Sequence, residues 1–230
     1  LGTDVLGRDV LARVAEGARV SLVVATGSTA LALLLGVVYG AISGFAGGRL
    51  DGAMMRAVDV AYALPDVLVI ILLTEVLNAL LADTSDQAVT SDHYGRVLAL
   101  TLALAGIGWV GIARLVRGLV LQAREEVWVE AARALGVAPT RVLWRHVLPN
   151  VSAPILVAAT LRIPHAILTE STVSFIGLGI APPYASWGVL AADGLFRTDG
   201  VFVALPAIPA KLLEQGFRSE VLELLVAERA

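Results

Sequence analysis

The sequence predicts an all-α, polytopic membrane protein, and three observations carry that prediction. Apolar residues make up 57% of the chain and charged residues 16%, with a mean hydropathy of +0.81, whereas ordinary soluble domains are about a quarter charged. Uncharged or nearly uncharged runs recur at lengths near or above the roughly 20 residues that a helix needs to cross a bilayer. The runs are continuous instead of alternating, which selects helices over a closed barrel, the other structure that satisfies its backbone in lipid.

Residues 20–46 form the clearest span, since nothing between Arg19 and Arg49 is charged. A second covers 58–82, interrupted by Asp66 and Glu75, with a kink expected at Pro65. The third, 97–113, ends at Trp109, Arg114 and Arg117, as a helix does on leaving lipid through an aromatic and basic rim. A fourth, about 151–180, contains Arg162, Pro164, His165 and Glu170 and is expected to face protein or water on one side.

Gly36, Gly40, Gly44 and Gly48 fall every fourth residue along the first span. Such a stripe removes side chains where another helix backbone approaches, although glycine is also simply common in membrane helices.

Orientation follows from basic residues, which collect on the cytoplasmic side. Residues 114–150 hold Arg114, Arg117, Arg124, Arg133, Arg141 and Arg145, whereas the stretch around Asp83, Asp86 and Asp92 has none before Arg96. The first is therefore expected inside and the second outside, which puts Arg49 and Arg56 inside and the N-terminal segment, with Arg8, Arg13 and Arg19, outside. The chain opens at Leu1 without a basic-then-apolar leader, and is expected to begin inside a longer protein.

Within the basic segment, residues 125–135 combine helix formers with early acidic residues, and Gly136 stands where a left-handed cap belongs. Pro139 suits the first turn of a second helix, 140–147, which Pro149 is expected to end. Val127, Ala131, Ala134 and Leu135 share one apolar face, and Ala131 and Ala132 are small enough to let a partner surface come near.

Enzymatic chemistry finds little support. The chain has no cysteine, and His93, His146 and His165 are scattered, so no metal site is expected. The only lysine, Lys211, lacks the context of a phosphate-binding loop. Residues 106–111 (GIGWVG) match a dinucleotide pattern but lie in a lipid-spanning run instead of between strand and helix. Asn150 and Ser152 match a glycosylation acceptor on the side where that modification does not occur. Neither a catalytic residue nor a cofactor is expected.

Glu130, Ala131, Ala132, Gly136, Leu148 and Pro149 together resemble the cytoplasmic signature loop of bacterial binding-protein-dependent importer permeases. Residues 1–9 (LGTDVLGRD), 17–22 (GARVSL), 55–59 (MRAVD), and Glu170 with 174–179 (SFIGLG) resemble the dipeptide, oligopeptide and nickel branch. The likeness covers about 1–194. His146 stands where the general signature has an aliphatic residue.

The resemblance implies the type I, MetI-like helical core of an ATP-binding-cassette importer permease, multi-pass in the bacterial inner membrane. Residues 1–19 would be a periplasmic segment and 20–194 the permease domain, with a coupling loop at 119–150 seated in an ATPase subunit. Implied partners are ABC ATPase subunits, a second homologous permease forming a heterodimer, a periplasmic or lipid-anchored solute-binding protein, and membrane lipid, with no nucleic acid. The cargo would be di- or oligopeptides or related small solutes such as nickel complexes.

The family closes with another span after Ser186, Trp187 and Gly188, but here 201–213 is too short and is broken by Pro206 and Pro209. Residues 195–230 are expected to be an atypical tail lacking that last transmembrane helix, with an amphipathic helix from Lys211.

Asp66, Glu75, Arg162 and Glu170 are expected to face a translocation pathway or to pair with each other, because a charge facing lipid costs roughly 3 kcal/mol or more. The competing reading puts some of them near helix ends, reaching the headgroups. A secondary transporter or channel that uses these acids for ion coupling is the alternative function, and it leaves the 125–150 element without a role.

Overall fold

The computed structural model describes residues 2, 7–82, 90–180 and 184–197. Helix α1, Val10–Ala46, starts well before the expected span because Asp9 caps it: the carboxylate accepts the N–H of Leu11 at 2.8 Å and of Ala12 at 3.4 Å. The helix closes at Gly47, whose N–H donates to the Ser43 carbonyl.

The expected single kinked span over 58–82 is corrected to two helices, α2 (Gly48–Tyr62) and α3 (Asp66–Ala82), whose axes meet at 88°. Pro65 explains the break. It has no N–H to donate and its ring collides with the carbonyl a turn earlier, so α2 stops at Tyr62 and α3 restarts with Asp66 in its first turn.

Helix α4, Thr90–Ala123, runs past the expected exit at residue 113. Its arginines are neutralised on the helix flank instead of lying beyond its end. Arg117 donates from Nε and Nη2 to the two Asp51 oxygens, each at 2.6 Å, and Arg114 pairs with Asp59 at 2.5 Å. The Trp109 ring packs edge-on against Tyr39, with centroids 4.8 Å apart.

The glycine stripe joins α1 to α4. A β-carbon at Gly36 would overlap Ile112 and the Trp109 carbonyl, one at Gly40 the Ala113 carbonyl, and one at Gly44 the Arg117 carbonyl. Gly48 does not belong to this stripe, since it opens α2 and a β-carbon there would meet nothing within 4 Å. The pairing rises along both helices together, so α1 and α4 run parallel, and the chain between them must cross back once through α3. At 1.5 Å per residue, α3 is about 25 Å long, close to the roughly 30 Å hydrocarbon layer.

Short helices α5 (Val127–Ala134), α6 (Pro139–Val142) and α7 (Leu148–Asn150) follow α4. A π-turn, Leu143–Val147, joins α6 to α7. Pro149 does not end the second short helix as expected, because the wider π-turn leaves room for a proline in the next helical turn.

Helix α8, Ser152–Phe175, returns antiparallel to α1, and α9, Trp187–Arg197, lies beyond it. Among the described residues, three helices are long and apolar enough to cross a membrane, or four if the bent α2/α3 pair is counted as one span. Large apolar side chains such as Leu34, Leu68, Leu72, Leu161 and Leu168 are exposed on their outer faces, where lipid replaces a protein core. The expected structure of the 201–213 segment and of the helix from Lys211 lies outside the described residues.

Gly40→Ala should lower the melting temperature in detergent by several degrees, reflecting an overpacking cost of about 1–3 kcal/mol. Gly52→Ala, with nothing within 4 Å of the added methyl, should leave it unchanged or raise it. Equal behaviour of the two variants would contradict the close α1–α4 approach.

Candidate functional site

Three neighbourhoods hold the polar and exposed residues that lipid packing does not explain. The first is at the end where α1 and α4 finish. Helix α5 is closed by a left-handed Gly136 (φ 77), with Val137 N–H donating to Ala132 O at 3.2 Å and Gly136 N–H to Arg133 O at 2.9 Å. These two bonds satisfy carbonyls that a helix end leaves open.

One side of α5 is anchored. Val129 is fully buried, worth about 1.5–3 kcal/mol relative to exposure, and Ala132, Val137 and Leu148 pack on the same cluster, which includes Val142, Val147 and Val120. Arg133 also lies over the Phe45 ring at 5.3 Å. The opposite side is bare: Val127 is 78% and Leu135 84% exposed, with Glu130, Ala131, Ala134 and Gly136 exposed between them. Pro149 is exposed at the far edge of the same region.

The second neighbourhood is at the opposite end. Glu170, 0% exposed, accepts the Ser21 hydroxyl at 2.7 Å on one oxygen and the Ser174 hydroxyl at 2.8 Å on the other. Each hydroxyl in turn accepts a backbone N–H, Trp187 on Ser21 at 3.3 Å and Ile180 on Ser174 at 3.1 Å. With their lone pairs so engaged, both hydroxyl protons point to the carboxyl group. Gly177 (φ 84) closes α8 with the same bond pattern that Gly136 gives α5, and Gly179 and Gly188 leave room against Ser174 and Ser171. Arg13 of α1 reaches Asp193 of α9 at 3.1 Å. The runs 17–22, 170–179 and 186–188 are thus brought together as one knot.

The third is a cleft of about 510 Å³ between α3, α4 and α8, lined by Asp66, Arg162, His165, Tyr62 and Ser28 among apolar walls. The Arg162 guanidinium lies over Gly108, where any side chain would displace it. Of the acids singled out in the sequence, Asp66 shares this cleft with Arg162, Glu75 stands on an exposed face of α3, and Glu170 is committed to the serine knot.

Sequence reasoning missed the cluster in which half-buried Arg117 meets buried Asp51 and Ser43, the Ser43 hydroxyl donating to Asp51 at 2.6 Å. It also missed the serine partners of Glu170. An acidic residue beside a helix break and an arginine in an apolar run are the signals for the first, but the partner is set by tertiary packing.

Residues 36–212 match the family model described as the binding-protein-dependent transport system inner membrane component. That match runs beyond residue 194, where the resemblance was expected to stop. The oligopeptide transport system permease protein OppC of Bacillus subtilis is 43% identical over 194 residues, covering 84% of this chain and 58% of that relative. The dipeptide transport system permease protein DppC of the same organism is 43% identical, covering 84% and 56%. OppC of Haemophilus influenzae is 37% identical over 198 residues, covering 86% and 58%. The chain therefore spans less than three fifths of the length of these curated relatives.

Removing the carboxylate should strand two buried hydroxyls, at about 1–3 kcal/mol each. Glu170→Leu is expected to lower the detergent melting temperature more than Ser21→Ala does, and the double variant to fall little below Glu170→Leu alone. Strict additivity in that cycle would show that the groups are not coupled.

Proposed function

Because the chain belongs to the family of inner membrane components of binding-protein-dependent transport systems, we propose that it is a transmembrane permease subunit of an ATP-driven importer of peptides or related small solutes. The observation that carries this reading is α5. It is rigidly capped, docked by one face on the ends of the long helices, and apolar and bare on the other. A secondary transporter or channel has no use for such a face. A permease driven from outside the bilayer requires one.

In this reading, ABC ATPase subunits seat α5 through Ala131, Ala134 and Leu135, with Glu130 at the edge, while Gly136, Leu148 and Pro149 fix its angle to α8. ATP is hydrolysed on those subunits, and their closure pushes α5. A second homologous permease forms the other half of the pathway, and a solute-binding protein delivers cargo at the opposite face. The basic end is cytoplasmic by its arginines, which puts Glu170 and its knot near the outer face. The names of the relatives, oligopeptide and dipeptide permeases, support peptides as cargo. Asp66 and Arg162 line the transport path, since a cleft is where charges inside a membrane bundle avoid lipid.

Ala131→Arg places a long charged side chain on the exposed face of α5, and Gly136→Val forces a branched residue into a left-handed conformation. Co-expressed with the ATP-binding subunits, both variants should insert normally but retain at least tenfold less ATPase through detergent purification. Undiminished ATPase capture by both would remove α5 as the docking element.

A further inference from the structure

The cleft holds two opposite charges that form no direct ion pair with each other. Asp66 is within electrostatic reach of Arg162, yet among the described residues no ion pair joins them, unlike Asp51 with Arg117 or Asp59 with Arg114. Arg162 is half-buried, and the missing side chain at Gly108 gives its guanidinium a seat against α4. Asp66 sits across the same space at the start of α3, exposed to the cleft.

A planar guanidinium fixed by its surroundings offers parallel donors that match a carboxylate. A carboxylate opposite it suits an ammonium group. The other walls of the cleft are mostly apolar, with Ile70, Leu104 and Ile107 from α3 and α4, and Ser28 and Thr169 are also among its lining residues. The volume, about 510 Å³, falls within the roughly 300–1,000 Å³ of small-molecule sites. We propose that this cleft is a transient binding station for a short zwitterionic peptide, with Arg162 taking the terminal carboxylate and Asp66 the terminal ammonium group.

The station rests on the permease reading and adds to it a selectivity that belongs to the membrane subunit. A bundle with charges already paired would offer a passing peptide nothing to replace the water it sheds. Unpaired charges of both signs do replace it, and the zwitterion leaves again because neither contact is buried on all sides. His165 and Tyr62 also line the cleft, so all variants are compared at one pH, held below about 7 so that the dipeptide's α-amino group stays protonated.

The test is ATP-driven uptake into vesicles holding the assembled importer. A dipeptide is compared with its C-terminal amide and with its N-acetyl form, using one binding protein throughout so that its own preferences cancel between permease variants. Arg162→Gln should reduce the ratio of free-acid to amide uptake about tenfold relative to wild type, the discrimination that a charge-assisted hydrogen bond supplies. Arg162→Lys, which keeps the charge but loses the parallel donors, should fall between Arg162→Gln and wild type. Asp66→Asn should reduce the ratio of free-amine to N-acetyl uptake while sparing the acid-to-amide ratio, and this arm decides alone if Arg162→Gln fails to assemble. Ratios identical to wild type would overturn the station and leave the permease reading standing. Absence of ATP-driven uptake by the wild-type importer would overturn both.

Discussion

Backbone contact between α1 and α4 sets the geometry of everything else. At Gly36, Gly40 and Gly44 no side chain separates the two helices, and carbonyls of α4 occupy the space. Lipid offers no hydrophobic incentive for helices to associate, so close packing of this kind must hold them. Once these two helices lie parallel, α3 has to return between them, α8 has to run the other way, and the ends of α1 and α4 meet at one side. That meeting point is where Val129 and Ala132 of α5 find a cluster to pack on.

Charge is handled differently at each level of the bundle. Near the basic end, Arg117 and Arg114 are matched by Asp51 and Asp59, so the right-angled α2 is tied down by ion pairs as well as by Tyr39, whose hydroxyl donates to the Met54 carbonyl at 2.9 Å. At the far end, Glu170 is satisfied by hydroxyls alone. A carboxyl group in that setting is costly unless its donors are held in place, and both serines are held by backbone N–H groups from the segment that follows α8. Between these levels lies the cleft of Asp66 and Arg162, where neither solution is used.

Hydropathy made the crossings legible, because lipid imposes its demand on each segment separately. Gly136 was legible for a similar reason: a left-handed cap is a local requirement, and sequence shows it directly. The features that escaped depend on partners far away in the chain. The carboxylate partners of Arg114 and Arg117 escaped because they lie in α2, far back along the chain. The serine partner of Glu170 on α1 escaped because Ser21 is 149 positions away. The right angle at Pro65 needed knowledge that Asp51 and Asp59 pull α2 toward α4, without which a mild kink satisfies the same proline. The π-turn at Leu143–Val147 has no sequence signature beyond Pro149, and its register is chosen by burial of Leu143 and Val147.

Joining the two ends gives the proposed function a mechanical form. Helix α5 rests on the ends of α1 and α4 and continues through α6 and α7 into α8, while the serine knot fastens α8 to α1 at the other end. A push on α5 therefore moves α1, α4 and α8 as one body, since slippage would have to break packing at one end or buried hydrogen bonds at the other. Helix α3 is bound differently. It packs along α4 through Ile70 and its neighbours, while the break at Ala63–Pro65, where the helical hydrogen bonding lapses, separates it from α2. The cleft lies on the boundary between α3 and the rest, with Asp66 on one side and Arg162 on the other.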